Sequence, residues 1–169
     1  EEDAKTVISL CEKNKPIKSE ISKRAAETES LWLARKSGFG SMARYKPICI
    51  AEDITVPVSY LKDVIAKLHE LSKKNDILLG LLSHAGDGNL HPHFLLDDKN
   101  QEEKADKIME EIIPYITSIG GTISGEHGVG ISKKKFLSSQ IGEKELSMMR
   151  EIKKIFDPNG ILNPGSYLE

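Results

Sequence analysis

A glycine-rich turn between two apolar runs constrains the fold of this 169-residue chain more than any other feature. Residues 77–82 form a continuous apolar run, which is typical of a buried strand, and residues 90–96 read as a second strand. Gly86 and Gly88 lie between the two runs, and glycine lets the backbone turn sharply. The segment therefore predicts a β-hairpin and an antiparallel sheet.

The remaining sequence alternates between strand and helix patterns. Ser59 is the expected N-cap of the clearest amphipathic helix, Gly38 the expected end of an earlier helix, and Pro114 the expected kink or break in a later one. Further helices are predicted over 1–13, 23–36, 101–119, 132–138 and 143–156, and further strands over 16–21 and 45–56. This order predicts an α+β fold, a mostly antiparallel sheet with helices on one face. A parallel doubly wound sheet is the alternative.

Composition excludes several classes of protein. The chain is 30% charged and 38% hydrophobic, as in soluble globular proteins, and its net charge of -2 leaves no reason to expect a nucleic-acid partner. Cys11 and Cys49 are expected to be reduced thiols of a cytoplasmic protein, with a disulfide as the alternative. No apolar stretch approaches the roughly 20 residues of a membrane helix. The first residue is not Met, so an excerpt of a longer polypeptide is expected.

The hairpin carries two candidate metal ligands. His84 follows the first strand and His91 opens the second, so their imidazoles can lie side by side at the strand ends. Neutral imidazole binds Zn, Mn and Fe, and an incomplete shell leaves positions open for water or substrate. Asp87 is expected to hydrogen-bond its own backbone. The alternative for each histidine is a structural role. His93, two residues beyond His91, either contacts substrate or hydrogen-bonds within the pocket.

A second glycine cluster supplies the remaining candidates. Glu126 and His127 lie between Gly125 and Gly128 and point in different directions, so Glu126 can be the third metal ligand while His127 faces the substrate as a general base. The alternative is a turn with a hydrogen-bonded histidine. The glycine order is not that of a dinucleotide-binding loop. Arg35, near Trp32, could hold a carboxylate, although spacing alone favours a surface arginine.

Five stretches together resemble the C-terminal domain of FAD-linked oxidases of the vanillyl-alcohol-oxidase type. The resemblance is nearest to the branch of glycolate oxidase FAD-binding subunits, D-lactate dehydrogenases and D-2-hydroxyglutarate dehydrogenases. The stretches are in family order and span nearly the whole chain: 31–35, 52–57, 84–91, 120–130 and 157–165. The resemblance implies a ferredoxin-like half of a cap domain over 1–119 and a helical C-terminal segment over 120–169, treated as one domain.

The resemblance also implies site residues and partners. His84, His91 and Glu126 match the family's metal ligands and His127 its base. Substrate contacts are implied for Arg35, for His93 (a position that is often Asn in relatives), and for Lys46 or Arg44, and flavin contacts for Asn163, Glu126 and His127. The cofactors implied are FAD, held mainly by an N-terminal domain outside this sequence, and a divalent metal (Zn, Mn or Fe).

The activity implied is oxidation of a D-2-hydroxy acid, such as glycolate or D-lactate, to the 2-oxo acid. The expected partners are this substrate, the FAD domain and an electron-acceptor subunit, with self-association through the exposed partner-facing surface. The expected location is the cytoplasm, including the inner face of the membrane. The isolated fragment is expected to be inactive. Two alternatives stay open: a stand-alone His/His/Glu metalloenzyme, and a truncated relative that binds hydroxy acids or a partner without catalysis.

Overall fold

The computed structural model describes residues 2–166 and residue 168, and it groups them into two compact units, the first ending at Phe39 and the second beginning at Gly40. The first unit contains α1 (Glu2–Lys13) and most of α2 (Ala25–Tyr45), which ends in the second unit. Cys11 and Cys49 are free thiols. Among the described helices, none combines the length and the hydropathy that a bilayer crossing demands.

Two predictions for the first 45 residues are wrong. Residues 16–21 form no strand: the segment is exposed and irregular, and the described residues of the first unit include no other strand with which it could pair. The helix predicted to end at Gly38 continues to Tyr45. A glycine inside a helix costs only about 1 kcal/mol, which the flanking helix-forming residues can outweigh.

The predicted hairpin is confirmed, and its second strand is the central strand of a four-stranded antiparallel sheet. The strands of the hairpin are β3 (Leu78–His84) and β4 (Asn89–Leu96). β3 pairs with one edge of β4. β1 (Ile48–Ala51) and β2 (Ile54–Thr55) both pair with the opposite edge of β4, one after the other. The α+β class with a mostly antiparallel sheet is therefore confirmed, and the parallel alternative is wrong.

The strand predicted over 45–56 is interrupted rather than continuous. β1 and β2 keep the same register with β4, and the break between them lies opposite Pro92. The Glu52 amide donates to the Pro92 carbonyl at 2.8 Å. Proline has no N–H with which to return that hydrogen bond, so the ladder fails at this point. The shared register places Asp53 opposite His91.

The helices of the second unit include α3 (Leu61–Lys74) and α4 (Glu102–Ser118), which supply most of the buried helical side chains that pack against the sheet, and α5 (Glu143–Phe156), which adds Leu146 to the same core. Short 3₁₀ turns lie at Val58–Tyr60, Lys99–Gln101 and Lys134–Ser139. α3 begins at Leu61, so the prediction of Ser59 as its N-cap is wrong: Ser59 lies inside the preceding 3₁₀ turn. α4 runs through Pro114 without a break. The core includes these fully buried side chains: Val64, Leu68, Leu90, Phe94, Leu96, Ile108, Ile112 and Ile116.

Candidate active site

The register of the sheet places the two hairpin histidines on one face. His84 pairs with Asn89, and side chains two residues apart on a strand share a face, so His84, Asn89 and His91 all project on the same side. By the same alternation Leu90 and Phe94 project into the helix-covered core. His93 shares the face of His91, as predicted. The site therefore lies on the sheet face opposite the main core.

The turn between the histidines is held by its own backbone. The amides of Asp87 and Gly88 donate to the His84 carbonyl at 3.1 and 3.2 Å, and the Asp87 Oδ1 accepts from the Asn89 amide at 3.1 Å. Asp87 thus bonds its own backbone, as predicted. Gly88 has a positive φ of 81°, and a Cβ there would lie 1.9 Å from the Val56 carbonyl oxygen. Only glycine fits this close approach.

The three predicted ligands lie close together, although His84 and Glu126 are 42 positions apart in the sequence. Glu126 Oε1 lies 3.1 Å from His91 Nε2 and 3.6 Å from His84 Nε2. The two imidazole rings meet edge to face with centroids 5.3 Å apart. One ligand atom from each of the three residues lies within 4.8 Å of the others.

These distances suit a single small cation. Zinc bonds of about 2.0–2.2 Å in a tetrahedron separate the ligand atoms by roughly 3.3 Å, which lies between the two measured separations. The His84 and Glu126 side chains are about half exposed, whereas that of His91 is only 9% exposed. Two imidazoles and a carboxylate therefore fit a divalent metal, with one side open to solvent.

Burial keeps His91 in the form that binds metal. It lowers the pKa of the His91 imidazole, against the opposing attraction of the Asp53 and Glu126 carboxylates. A lowered pKa leaves the ring neutral near pH 7 with a lone pair available. The His127 ring stacks on His91 at a centroid distance of 5.3 Å and an interplanar angle of 19°. The predicted base is thus adjacent to the predicted metal ligands.

The loop that carries Glu126 and His127 is organised by a residue to which sequence reasoning gave no role. Asp53 Oδ2 accepts hydrogen bonds from the Ser124 hydroxyl (2.8 Å) and from the amides of Gly125 (2.8 Å), Glu126 (2.9 Å) and His127 (2.9 Å). Successive amides that converge on one oxygen form a concave anion site. The loop is therefore wrapped around a carboxylate that is fully buried.

Hydrogen bonding lowers the pKa of the Asp53 carboxyl group. Burial by itself would raise the pKa of this carboxyl group, but the amides of His127 and Glu126, the Ser124 hydroxyl and the Lys133 charge outweigh it and lower the pKa to about 2. Lys133 is itself buried, and its Nζ donates to the Asp53 carbonyl at 2.5 Å. The only signal in the sequence is the position of Asp53 inside the 52–57 stretch. That stretch contributes to the family resemblance but does not indicate a chemical role for Asp53.

A second group of possible ligands overlaps the first. Asp53, His91 and His127 also bring one ligand atom each within 4.8 Å of one another. Asp53 Oδ2 already accepts four hydrogen bonds, and the carboxylate has no exposed surface, so this second group is closed to solvent on the Asp53 side. The His84, His91 and Glu126 group is the better candidate for a metal because two of its members are about half exposed.

The other predicted contacts have different surroundings. His93 is buried, burial lowers its pKa, and its Nδ1 lies 2.7 Å from the His91 carbonyl oxygen. Lys46 forms an ion pair with Asp97 at 2.5 Å, next to the far end of β4. Asp97 follows His91 by six positions along the extended chain, which corresponds to roughly 20 Å. The structure therefore does not bring Lys46 to the histidines.

The remaining predicted residues lie elsewhere in the chain. Arg35 is exposed on α2 within the first unit, and its substrate role stays a prediction. The alternative basic contact, Arg44, is exposed and its Nε donates to the Gly40 carbonyl at 3.2 Å. Asn163 has a positive φ of 49° and lines an apolar groove with Phe156 and Leu162. Its flavin contact also stays a prediction.

Comparison with known proteins decides the family. Residues 1–167 match the family model for FAD linked oxidases, C-terminal domain. The chain belongs to this family. The FAD-oxidase C-terminal domain is 35% identical over 167 residues to the glycolate oxidase subunit GlcD of Bacillus subtilis, which covers 98% of the chain and 36% of that relative.

Further relatives give the same result. The domain is 32% identical to GlcD of Escherichia coli K12 over 98% of the chain and 34% of the relative. It is 33% identical to a mitochondrial cytochrome-type D-lactate dehydrogenase of Arabidopsis thaliana over 83% of the chain and 25% of the relative. The chain thus spans about a third of the length of its GlcD relatives.

Proposed function

We propose that this domain supplies the metal and substrate side of an FAD-linked oxidoreductase that converts a D-2-hydroxy acid, such as glycolate or D-lactate, to the 2-oxo acid. The observation that carries the proposal is the convergence of His84, His91 and Glu126, with the His127 ring stacked beside them. Relatives named glycolate oxidase subunit and D-lactate dehydrogenase support the substrate class.

The residues divide the work between binding and proton transfer. His84, His91 and Glu126 would hold a divalent metal (Zn, Mn or Fe), and such a metal would lower the pKa of a hydroxyl group bound to it. His127 accepts the proton of the substrate's 2-hydroxyl group, and its stacking on the buried His91 ring limits where its nitrogens can lie. Arg35 binds the substrate carboxylate, and Lys46 and His93 are further candidate contacts.

The flavin would supply the redox chemistry, as the acceptor of the hydride from the substrate carbon. Asn163, Glu126 and His127 are the proposed contacts of this domain with FAD. We assign residues 1–119 to the cap portion and 120–169 to the C-terminal segment, and we place the main FAD-binding domain in the N-terminal part of the protein. We further propose two protein partners, an electron-acceptor subunit and a second copy of the chain. The proposed location is the cytoplasm, including the inner face of the membrane.

The test uses the complete gene product, purified with its cofactors. We expect flavin absorbance, about one divalent metal per chain by mass spectrometry, and dye-coupled oxidation of glycolate or D-lactate that chelation abolishes and added metal restores. His84→Ala should remove the metal, whereas His69→Ala, at an exposed position on α3, should not. Full activity after complete metal removal would contradict the metal assignment. Metal without flavin would indicate the stand-alone metalloenzyme instead.

A further inference from the structure

Two buried polar atoms face each other across the sheet without a hydrogen bond. Asp53 Oδ1 and His91 Nδ1 lie 3.8 Å apart, and neither has a hydrogen-bond partner among the described residues. Buried polar atoms without partners are uncommon and costly. If the two atoms moved closer together by less than about 1 Å, they could form a hydrogen bond with each other, because hydrogen bonds of this type are about 2.7–3.2 Å long.

The backbone directs these atoms at each other. Asp53 lies opposite His91 in the register that β1 and β2 share, so both side chains project from one face. Asp53 cannot turn away, because its Oδ2 is held by the amides of the 124–127 loop and its carbonyl is held by Lys133. The free oxygen, Oδ1, is therefore fixed toward the His91 ring.

We propose that Asp53 is a positioning residue that joins the two halves of the site. Its Oδ1 accepts a hydrogen bond from His91 Nδ1–H, which leaves the lone pair on Nε2, the nitrogen 3.1 Å from Glu126. Its Oδ2 fixes the loop that carries Glu126 and His127. Carboxylates that orient metal-binding imidazoles in this way affect metal affinity strongly. The expected effect of Asp53 on metal affinity rests on the proposed function. Its expected effect on the ring tautomer of His91 does not.

The isosteric substitution Asp53→Asn tests the proposed hydrogen bond between Asp53 and His91. In Asp53→Asn the four donors of the 124–127 loop still require an oxygen at the Oδ2 position, so the amide nitrogen must face His91 Nδ1. An N–H at that place can only donate, so Nδ1 becomes the acceptor and the proton moves to Nε2. The wrong tautomer is the known consequence of this kind of substitution in serine proteases.

The first measurement is the tautomer of His91 by long-range proton–nitrogen NMR of the complete, chelator-treated protein with labelled histidine. We expect the Nδ1–H form in the wild type and the Nε2–H form in Asp53→Asn. The Nε2–H form in the wild type would overturn the proposal, and this holds even if the variant does not fold.

The second measurement is zinc affinity by calorimetry. We expect Asp53→Asn to weaken zinc binding by 10- to 100-fold, the usual effect of losing such a partner. The matched control is Asp157→Asn, because Asp157 is also buried and accepts the amides of Ile161 and Leu162 at 2.9 and 3.0 Å. The control should bind zinc like the wild type.

The outcomes separate the two proposals. If the wild type binds no zinc, the metal assignment of the proposed function is wrong. The tautomer of His91 measured by NMR still decides the role of Asp53. If the wild type binds zinc and Asp53→Asn binds it equally well, only the role of Asp53 fails. A loss of affinity in both variants would show a general effect of the substitution and would equally contradict the proposal.

Discussion

The two faces of β4 differ in what they contribute. One face carries Leu90, Phe94 and Leu96, which are fully buried against the helices. The other carries Asn89, His91 and His93, which are buried as well but polar. Burial alone therefore does not distinguish the stabilising side of the strand from the functional side. The difference lies in whether the buried groups are apolar or can bind and transfer protons.

This contrast explains why the site can be rigid without being apolar. Burial of Asp53 and His91 would be unfavourable without compensation, since charges and polar groups lose hydration. Four donors on Asp53 Oδ2 and the buried Lys133 supply that compensation. The polar face is thus held by hydrogen bonds where the apolar face is held by packing.

The largest expected effect tests this division of roles. Phe94→Ala removes a fully buried ring and should lower the free energy of unfolding by about 3–5 kcal/mol. His91→Ala, on the opposite face, should abolish metal binding at a much smaller cost in stability. Urea unfolding and metal analysis of the two variants check both expectations. Equal losses of stability would remove the distinction between the faces.

The proposed base gives the next effect. His127→Ala should lower kcat by at least ~100-fold, the scale for loss of an acid–base catalyst, while metal content is retained because His127 is not one of the proposed ligands. The measurement is steady-state turnover of the complete enzyme with its preferred hydroxy acid. Unchanged turnover would exclude His127 from the reaction.

Acid stability tests the hydrogen-bonded carboxylate. The pKa of Asp53 is about 2 in the fold against an ordinary value of 3.8, so the ionised group stabilises the fold above about pH 4, and this contribution is lost as the pH falls toward 2. It amounts to about 2 kcal/mol. Urea unfolding of the wild type from pH 6 to pH 2 should therefore show a loss that Asp53→Asn lacks. Parallel profiles would refute this interpretation of Asp53.

The smallest expected effect concerns Lys46. Its ion pair with Asp97 is partly exposed, so Lys46→Ala should change the free energy of unfolding by less than about 1 kcal/mol. Lys46 is also a proposed substrate contact, so the same variant should raise KM for the hydroxy acid. An unchanged KM would leave Lys46 with the Asp97 ion pair alone.

The local parts of the fold could be predicted from the sequence. The hairpin follows from two apolar runs and a glycine turn, and the helix over 102–118 from its periodicity. The proximity of His84 to His91 follows from the same turn. The break between β1 and β2 could not be predicted, because it arises from Pro92 on another strand.

The role of Asp53 depends on still more distant partners. Its hydrogen bonds reach residues 71 to 74 positions away, and a single aspartate beside a short strand gives no sign of them. The proximity of Glu126 to the histidines was expected only from glycine-rich patterning and family resemblance. Packing of the 124–128 loop against the sheet provides the missing reason: a Cβ at Gly125 would lie 2.4 Å from the Thr55 hydroxyl.

The position of a bound metal ion can be measured directly by anomalous diffraction. Crystals of the complete protein grown with zinc or manganese, with anomalous diffraction recorded at the metal edge, locate the cation without assumption. We expect a single strong peak within about 2.0–2.2 Å of His84 Nε2, His91 Nε2 and a Glu126 oxygen, with Asp53 outside bonding distance. A peak bonded to Asp53 and His127 instead, or no peak at this sheet face, would contradict this expectation.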